Sequence, residues 1–322
     1  MSSRKPTQNS SPPALRLARG LAPREASPCV LTIGTYDGLH VGHRALIAHA
    51  CARAAALRLP AGLLTFEPMP REVLQREDPP ARLTSLRERW RLLSGSGLAR
   101  LHVLAFNERL RLMSGFEFMA ALQALDARVI VVGHDFRFGH KGAASAQWCA
   151  SEARNYGFEV DILEPVLVDG ERASSGLVRA ALAAGDLSRA ARLLGRPYSM
   201  RARVRSGERL GRTLGFPTAN MALHRRRSPL AGIYAVRVRG AGPEGRGWPA
   251  VASLGTRPTV NGTEPLLEVH LFDFAGDLYG AELEVEFVAR LREERRFESL
   301  EAMVAQMHRD AAAARAALAP LV

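Results

Sequence analysis

Two histidines, His40 and His43, stand three residues apart in TIGTYDGLHVGH, the run from Thr32 to His43. Imidazoles so placed can donate hydrogen bonds to charge that builds up during phosphoryl chemistry. Gly34, Gly38 and Gly42 punctuate the run and let backbone amides approach phosphate oxygens. The same residues also suit a capping turn satisfied by its own backbone. A metal would need a third ligand, and none has suitable spacing. GRTLGFPTAN, from Gly211 to Asn220, offers different chemistry. Thr218 brings a hydroxyl suited to Mg2+ and phosphate, and Asn220 brings an amide two residues later. Pro217 restricts the backbone that presents them. Phosphoryl transfer to an alcohol also needs a base near the hydroxyl. Glu268 is a candidate, because alternation in Leu267-Glu268-Val269-His270-Leu271 puts three apolar residues on one face and the carboxylate on the other.

The elements that must position these groups fall into two kinds. From Val30 to Val166 strand patterns alternate with helix patterns. Strands are expected at 30–34, 61–66, 102–106, 128–132 and 159–166, and helices at 43–58, 85–93, 114–125 and 146–156. That alternation predicts a mostly parallel sheet covered on both faces, an α/β Rossmann-like domain. Ligands in such sheets collect at the carboxyl ends of strands, where the glycine loops after Gly34 and Gly133 both fall. Residues 175–194 read as two short helices broken at Gly185-Asp186 and stopped by Gly195-Arg196-Pro197. Beyond that stop the apolar period becomes two, at 198–205, 233–239, 250–254, 266–272 and 283–288. Short strands without intervening helices predict a small antiparallel β-barrel, and Ser299 N-caps a C-terminal helix. The expected divisions are a loose tail over 1–27, a first domain over 28–195 and a second over 196–322.

Composition sets outer limits. The chain has 322 residues, 47% hydrophobic and 24% charged, enough for two ordinary cores. No apolar run approaches the ~20 residues of a membrane span, and the polar N-terminus has no signal-peptide core. Cys29, Cys51 and Cys149 are odd in number and widely spread, which suits a reducing, cytoplasmic setting. A net charge of +12 invites a nucleic-acid partner. Against it, the arginines are scattered through helices and aromatics make up only 6%. The expected partners are small molecules, not nucleic acid or membrane.

GLHVGH resembles the H-x-G-H signature of the nucleotidyltransferase superfamily, whose histidines steady the phosphates of ATP while a second substrate attacks the α-phosphorus. GTYDGLHVGH, FEPMP, RLTSLRER, VVGHDFRFG and SSGLVRAALAAGDL follow in the order of prokaryotic bifunctional riboflavin kinase/FAD synthetases. LGRPY, GRTLGFPTAN, AGIYAV, SLGTRPT and LEVHLFDFAGDLYG resemble the kinase half of that family. The resemblance extends from Cys29 to Leu318. It implies a nucleotidyltransferase domain that adenylates FMN to FAD, followed by a riboflavin kinase barrel that makes FMN, with ATP, riboflavin and FMN as substrates and Mg2+ as cofactor. It assigns catalytic roles to Glu268, His40 and His43. It gives nucleotide or flavin binding to Gly34, Asp37, Gly38, Asp135, Phe136, Ser174, Ser175, Arg179, Gly211, Thr218 and Asn220, with Thr218 also on the metal. Phe136 and Phe138 are equally suited to a core, and Arg292 and Arg295 either to phosphates or to a solvated charge run.

The chain departs from the family pattern at Gly176, usually threonine, and at Met69, commonly histidine. Further departures are Tyr36, more often phenylalanine, Ala144-Ser145, often Gly-Asp, and Ala202, usually glycine. Most lie in the first half. The rival expectations are therefore a kinase alone beside a degenerate binding module, or an arginine-rich RNA-binding protein on this scaffold.

Overall fold

The structure is a computed structural model that describes residues 14–20, 27–206, 214–242, 247–259 and 262–319. It packs as two units, Met1–Asp78 with Arg89–Leu167, and Pro79–Glu88 with Val168–Val322.

In the first unit, β1 (Arg16–Arg19), β2 (Cys29–Ile33), β3 (Ala61–Phe66), β4 (Arg100–Leu104), β5 (Ala127–Gly133) and β8 (Glu159–Leu163) form one parallel sheet. Its order is β1-β4-β3-β2-β5-β8. Between β5 and β8 runs a small antiparallel pair, β6 (Arg137–Phe138) and β7 (Ala144–Ser145). All of β2 is buried, as a central strand rich in valine, leucine and isoleucine should be. Leu31, Ile33, Ile130 and Val132 pack with Phe118, Met119, Leu122 and Phe158. Each such side chain contributes roughly 1.5–3 kcal/mol by leaving water. Helices α1 (Val41–Leu57), α2 (Pro70–Leu74), α4 (Glu108–Leu112), α5 (Gly115–Ala124) and α6 (Ala146–Glu152) connect the strands, and the division between units falls inside α3 (Leu86–Leu93).

Strands β3 and β4 extend the sheet to one side of β2, and β5 and β8 to the other. The strand order therefore reverses between β2 and β5, which lie in register at Thr32 and Val131. In sheets of this kind, such a reversal is where ligands bind, beyond the carboxyl ends of the strands. The glycine loops after Gly34 and Gly133 leave the sheet at these ends, as the sequence pattern predicts.

Two expectations need correction. Residues 16–19, inside the expected loose tail, form β1 and pair with β4 along Arg16–Arg100 to Arg19–Val103. The period is too short and the strand too polar to announce itself. The fourth strand runs 100–104 rather than 102–106. Leu104 O accepts from Glu67 N at 2.9 Å, and Asn107 then caps α4 through Leu110 N. Cap chemistry thus takes residues 105–107 out of the sheet.

The second unit resumes inside β9 (Leu167–Val168), which pairs with β10 (Glu171–Arg172), and continues through α7 (Ser175–Ala183) and α8 (Leu187–Leu194). Gly185, at φ 78°, and the N-cap Asp186 separate the two helices. A closed barrel follows: β11 (Ser199–Arg205), β12 (Ala219–Ala222), β13 (Gly232–Arg239), β14 (Trp248–Thr259), β15 (Gly262–Leu271) and β16 (Glu282–Arg292). Its order is β11-β12-β15-β14-β13-β16, antiparallel throughout. Met200, Val204, Val236, Ala252, Leu254, Leu267, Val269, Leu283 and Val285 fill the inside. The C-terminal helix α9 (Leu300–Leu318) starts at the Ser299 cap and packs Ala314 and Leu318 onto Ala235 and Phe272. Strand β12 is missing from the alternating runs because its four residues sit directly behind Pro217.

Packing divides the chain differently from the boundary expected at Gly195-Arg196. Residues 168–194 pack with the barrel, where Leu187, Ala190, Leu193 and Leu194 bury the inner face of α8. Residues 79–88 join the same unit through a buried charge network. The Glu88 carboxylate accepts from Arg225 Nη2, from Ser85 N at 2.6 Å and from Arg201 N at 2.7 Å. Arg225 also donates to Leu83 O and Tyr198 Oη, both at 3.0 Å. Among the described residues no helix is long and apolar enough to cross a membrane.

Candidate active sites

In the first unit the chain leaves β2 through Gly34, whose N–H donates to Leu64 O at 3.1 Å. Tyr36 turns inward at φ 51° and is 1% exposed. Its hydroxyl donates to Thr32 Oγ1, which in turn donates to Val131 O at 2.9 Å. The hydroxyl that distinguishes Tyr36 from phenylalanine is therefore absorbed by β2 and β5. Asp37 is buried, and Gly38 follows at φ 82°, a conformation that glycine adopts without strain. His40 then becomes the N-cap of α1: its Nδ1 accepts from His43 N at 3.3 Å. A neutral His40 must hold its proton on Nε2, where it can donate outward. The two imidazoles stack with centroids 3.6 Å apart.

His43 lies 4.9 Å from the Tyr36 ring, and its Nδ1 is buried without a hydrogen-bond partner. Burial holds its pKa well below the usual 6.5, with further lowering from His40 and Arg89. His43 is therefore neutral at physiological pH, with a single ring N–H to offer.

Arg89 underpins this loop. Its side chain is 1% exposed. Nη1 donates to Thr35 O at 2.8 Å and to Thr65 Oγ1 at 3.0 Å, and Nη2 pairs with Glu67 at 2.6 Å. Thr65 Oγ1 passes its own proton to Thr35 O at 3.1 Å. A fixed guanidinium below the loop adds positive potential to that of the α1 N-terminus. The motif RLTSLRER ends on Arg89 but does not mark it as functional. In LRERWRLL, three arginines stand two residues apart and look alike, and nothing marks the one that points inward.

On the neighbouring loop Asp135 is exposed, while Phe136 is half-buried against the core. Phe138 is a core residue, 8% exposed. It lies among Phe136, Phe118 and Trp148 at centroid distances of 5.4, 5.3 and 5.8 Å.

Ser174, Ser175 and Arg179 belong to the second unit by packing. Ser174 is the N-cap of α7, its Oγ accepting from Leu177 N at 3.2 Å. Arg179 Nε donates to Ala81 O at 2.6 Å. A β-carbon at Gly176 would meet only Ser174 Oγ, at 3.6 Å, an ordinary contact.

The barrel brings Thr218, Asn220 and Glu268 together. Strands β12 and β15 pair with Asn220 opposite Glu268, and β14 places Ser253 opposite Glu268 on its other side. Leu267 and Val269 are fully buried and Glu268 lies on the outer face, as alternation requires. Thr218 is one residue ahead of β12, and Asn220 Nδ2 donates to Thr218 O at 3.4 Å. The Glu294 carboxylate reaches the same face: Ser253 Oγ donates to its Oε1 at 3.5 Å. A β-carbon at Gly255 would fall 2.2 Å from that oxygen, so a larger residue there would displace the Glu294 carboxylate. Gly211 lies outside the described residues. Arg292 makes a bidentate pair with Asp310, at 2.9 Å from Nε and 2.6 Å from Nη2, and so ties β16 to α9. Arg295 donates to Gln306 and stacks 4.9 Å from the Phe297 ring. Among the described residues no group of three or more His, Cys, Asp or Glu side chains could hold a metal.

A histidine-bearing turn at the switch point of a parallel sheet, with a separate barrel carrying a threonine-asparagine turn opposite a glutamate, defines a two-unit phosphate-transfer enzyme. Comparison with known proteins narrows the class. Residues 22–177 match the family described as FAD synthetase, and residues 194–318 match the family described as riboflavin kinase. The bifunctional riboflavin kinase/FMN adenylyltransferase of Pseudomonas fluorescens is 46% identical, over 95% of this chain and 99% of that protein. Its namesake from Escherichia coli strain K12 is 41% identical, over 94% and 97%. A crystal structure described as a macrolide-efflux protein from Streptococcus pneumoniae is 30% identical and covers 93% of this chain and 98% of its own, with a TM-score of 0.77. The chain belongs to the bifunctional riboflavin kinase/FMN adenylyltransferase family.

Proposed function

We propose that this chain makes flavin cofactors in two steps, phosphorylating riboflavin to FMN within residues 196–322 and adenylating FMN to FAD within residues 28–195. What supports this reading is that each unit holds one turn whose side chains suit phosphate, in the stretch that the corresponding family matches.

In the first step Glu268 takes the proton of riboflavin's 5′-hydroxyl, and the oxygen attacks the γ-phosphorus of ATP. The bond from that phosphorus to the bridging oxygen breaks, and ADP leaves. The Thr218 hydroxyl and the Asn220 amide oxygen are few, hard donors, which suits a Mg2+ that keeps water and phosphate oxygens as its other ligands. When bound, that ion neutralises phosphate charge.

In the second step an FMN phosphate oxygen attacks the α-phosphorus of ATP and pyrophosphate leaves. His40 Nε2 and the neutral His43 donate to the phosphates, with Arg89 holding Thr35 and the loop in place. Gly34, Asp37 and Gly38 shape that loop, and Asp135 and Phe136 line the neighbouring one. No covalent intermediate on the protein is needed.

Riboflavin incubated with MgATP and the purified chain, with FMN resolved from FAD, tests the reading. Sequential appearance of FMN, FAD and pyrophosphate is expected. FMN without FAD would leave the kinase alone, and neither product would refute both steps.

A further inference from the structure

We propose that His270 is a positioning residue of the kinase turn, holding the peptide that presents Thr218. The inference rests on the kinase reading of the barrel. His270 Nδ1 lies 2.9 Å from Pro217 O. A carbonyl oxygen can only accept, so Nδ1 must carry the proton. The peptide plane that begins at the Pro217 carbonyl ends at the Thr218 N–H, and the unit is rigid. Fixing Pro217 O therefore fixes the direction of the Thr218 N–H. The next plane is fixed as well, because Asn220 Nδ2 donates to Thr218 O. Thr218 thus sits between two pinned peptides, and its few side-chain rotamers are the freedom that remains.

The surroundings hold His270 to this task. It lies two residues after Glu268 on the outer face of β15, where Ala219 pairs with Val269. Its ring packs 5.0 Å from Phe216, which is 5% exposed, and His308 of α9 meets Phe216 from another side at 4.8 Å. One strand therefore carries both the proposed base and the group that aims the phosphate-binding hydroxyl.

The test compares His270→Ala, His270→Asn and His270→Gln in the full chain. Asparagine places its amide nitrogen where Nδ1 stands, whereas glutamine places it one bond further out. His270→Ala and His270→Gln should lower kcat/KM for ATP in riboflavin phosphorylation by roughly 10- to 100-fold. The riboflavin dissociation constant and the adenylation of supplied FMN should stay unchanged, and His270→Asn should restore most of the loss. Wild-type kinetics in His270→Ala, or His270→Asn failing as badly as alanine, would overturn the proposal. The 15N spectrum of the unaltered chain gives a second reading that needs no variant. A protonated Nδ1 at neutral pH supports the contact, and a proton confined to Nε2 overturns it. If the unaltered chain does not phosphorylate riboflavin, the kinase reading fails, while the spectrum still decides the His270 contact.

Discussion

The two turns proposed to handle phosphate use opposite building principles. In the first unit the turn sits where parallel strands stop, so the chain must leave the sheet. The groups it offers are backbone amides, a helix N-terminus, the capping His40 and its stacked neighbour His43, with the buried Arg89 holding the loop. In the barrel the turn leads into strand β12, and cross-strand register brings Asn220, Glu268 and Ser253 side by side on the outer face. A loop at strand ends depends on what lies beneath it. A row on a barrel depends on side chains lined up by alternation. Damage should therefore spread differently in the two.

The sharpest way to break this comparison is a pair of substitutions. Glu268→Gln removes the base without changing shape and should lower riboflavin phosphorylation by roughly 10²- to 10⁴-fold, with adenylation of supplied FMN intact. His43→Ala should do the reverse, cutting FAD formation by about 10²-fold or more while riboflavin phosphorylation continues. Steady-state assays of both activities on both variants check this, and equal loss of both activities in either one would defeat the idea of separate sites.

Arg89→Ala probes the support beneath the histidine loop. It strands Glu67 and leaves Thr35 O with one donor fewer. Breaking a buried pair costs about 3–5 kcal/mol, and the partial exposure of Glu67 puts the expectation near the lower end. Urea unfolding should show that loss, with FAD formation falling more than FMN formation.

The smallest effect sharpens the comparison through pH. His43 in the loop and His102 in β4 both have pKa values lowered from 6.5, chiefly by burial. The ring nitrogens of His102 are buried without partners. Above pH 6.5 both states are neutral and this contribution to stability is complete. As pH falls below that value, the unfolded chain binds protons that the folded sites refuse, so stability drops. The urea midpoint should decline between neutral and mildly acid pH, and His102→Phe should remove part of the decline.

Much of this was legible in the sequence because period and punctuation carry it. The alternation of strands and helices, the change to period two after Gly195 and the carboxylate face of β15 follow from elementary geometry. What stayed hidden depends on tertiary packing. Arg89 is one arginine among several on a helix, and only the fold turns it inward. Strand β1 is short and polar, and pairing with β4 makes it a strand. Strand β12 follows a proline, and closure of the barrel recruits it. His270 looks like one more alternating residue until the Pro217 carbonyl arrives beside it.

Counting nucleotide sites tests the central claim most directly. Titration of the full chain with a non-hydrolysable ATP analogue and Mg2+, followed by calorimetry, should give two sites per chain, with His43→Ala weakening one and Thr218→Ala the other. A single site per chain, lost alike in both variants, would contradict the account.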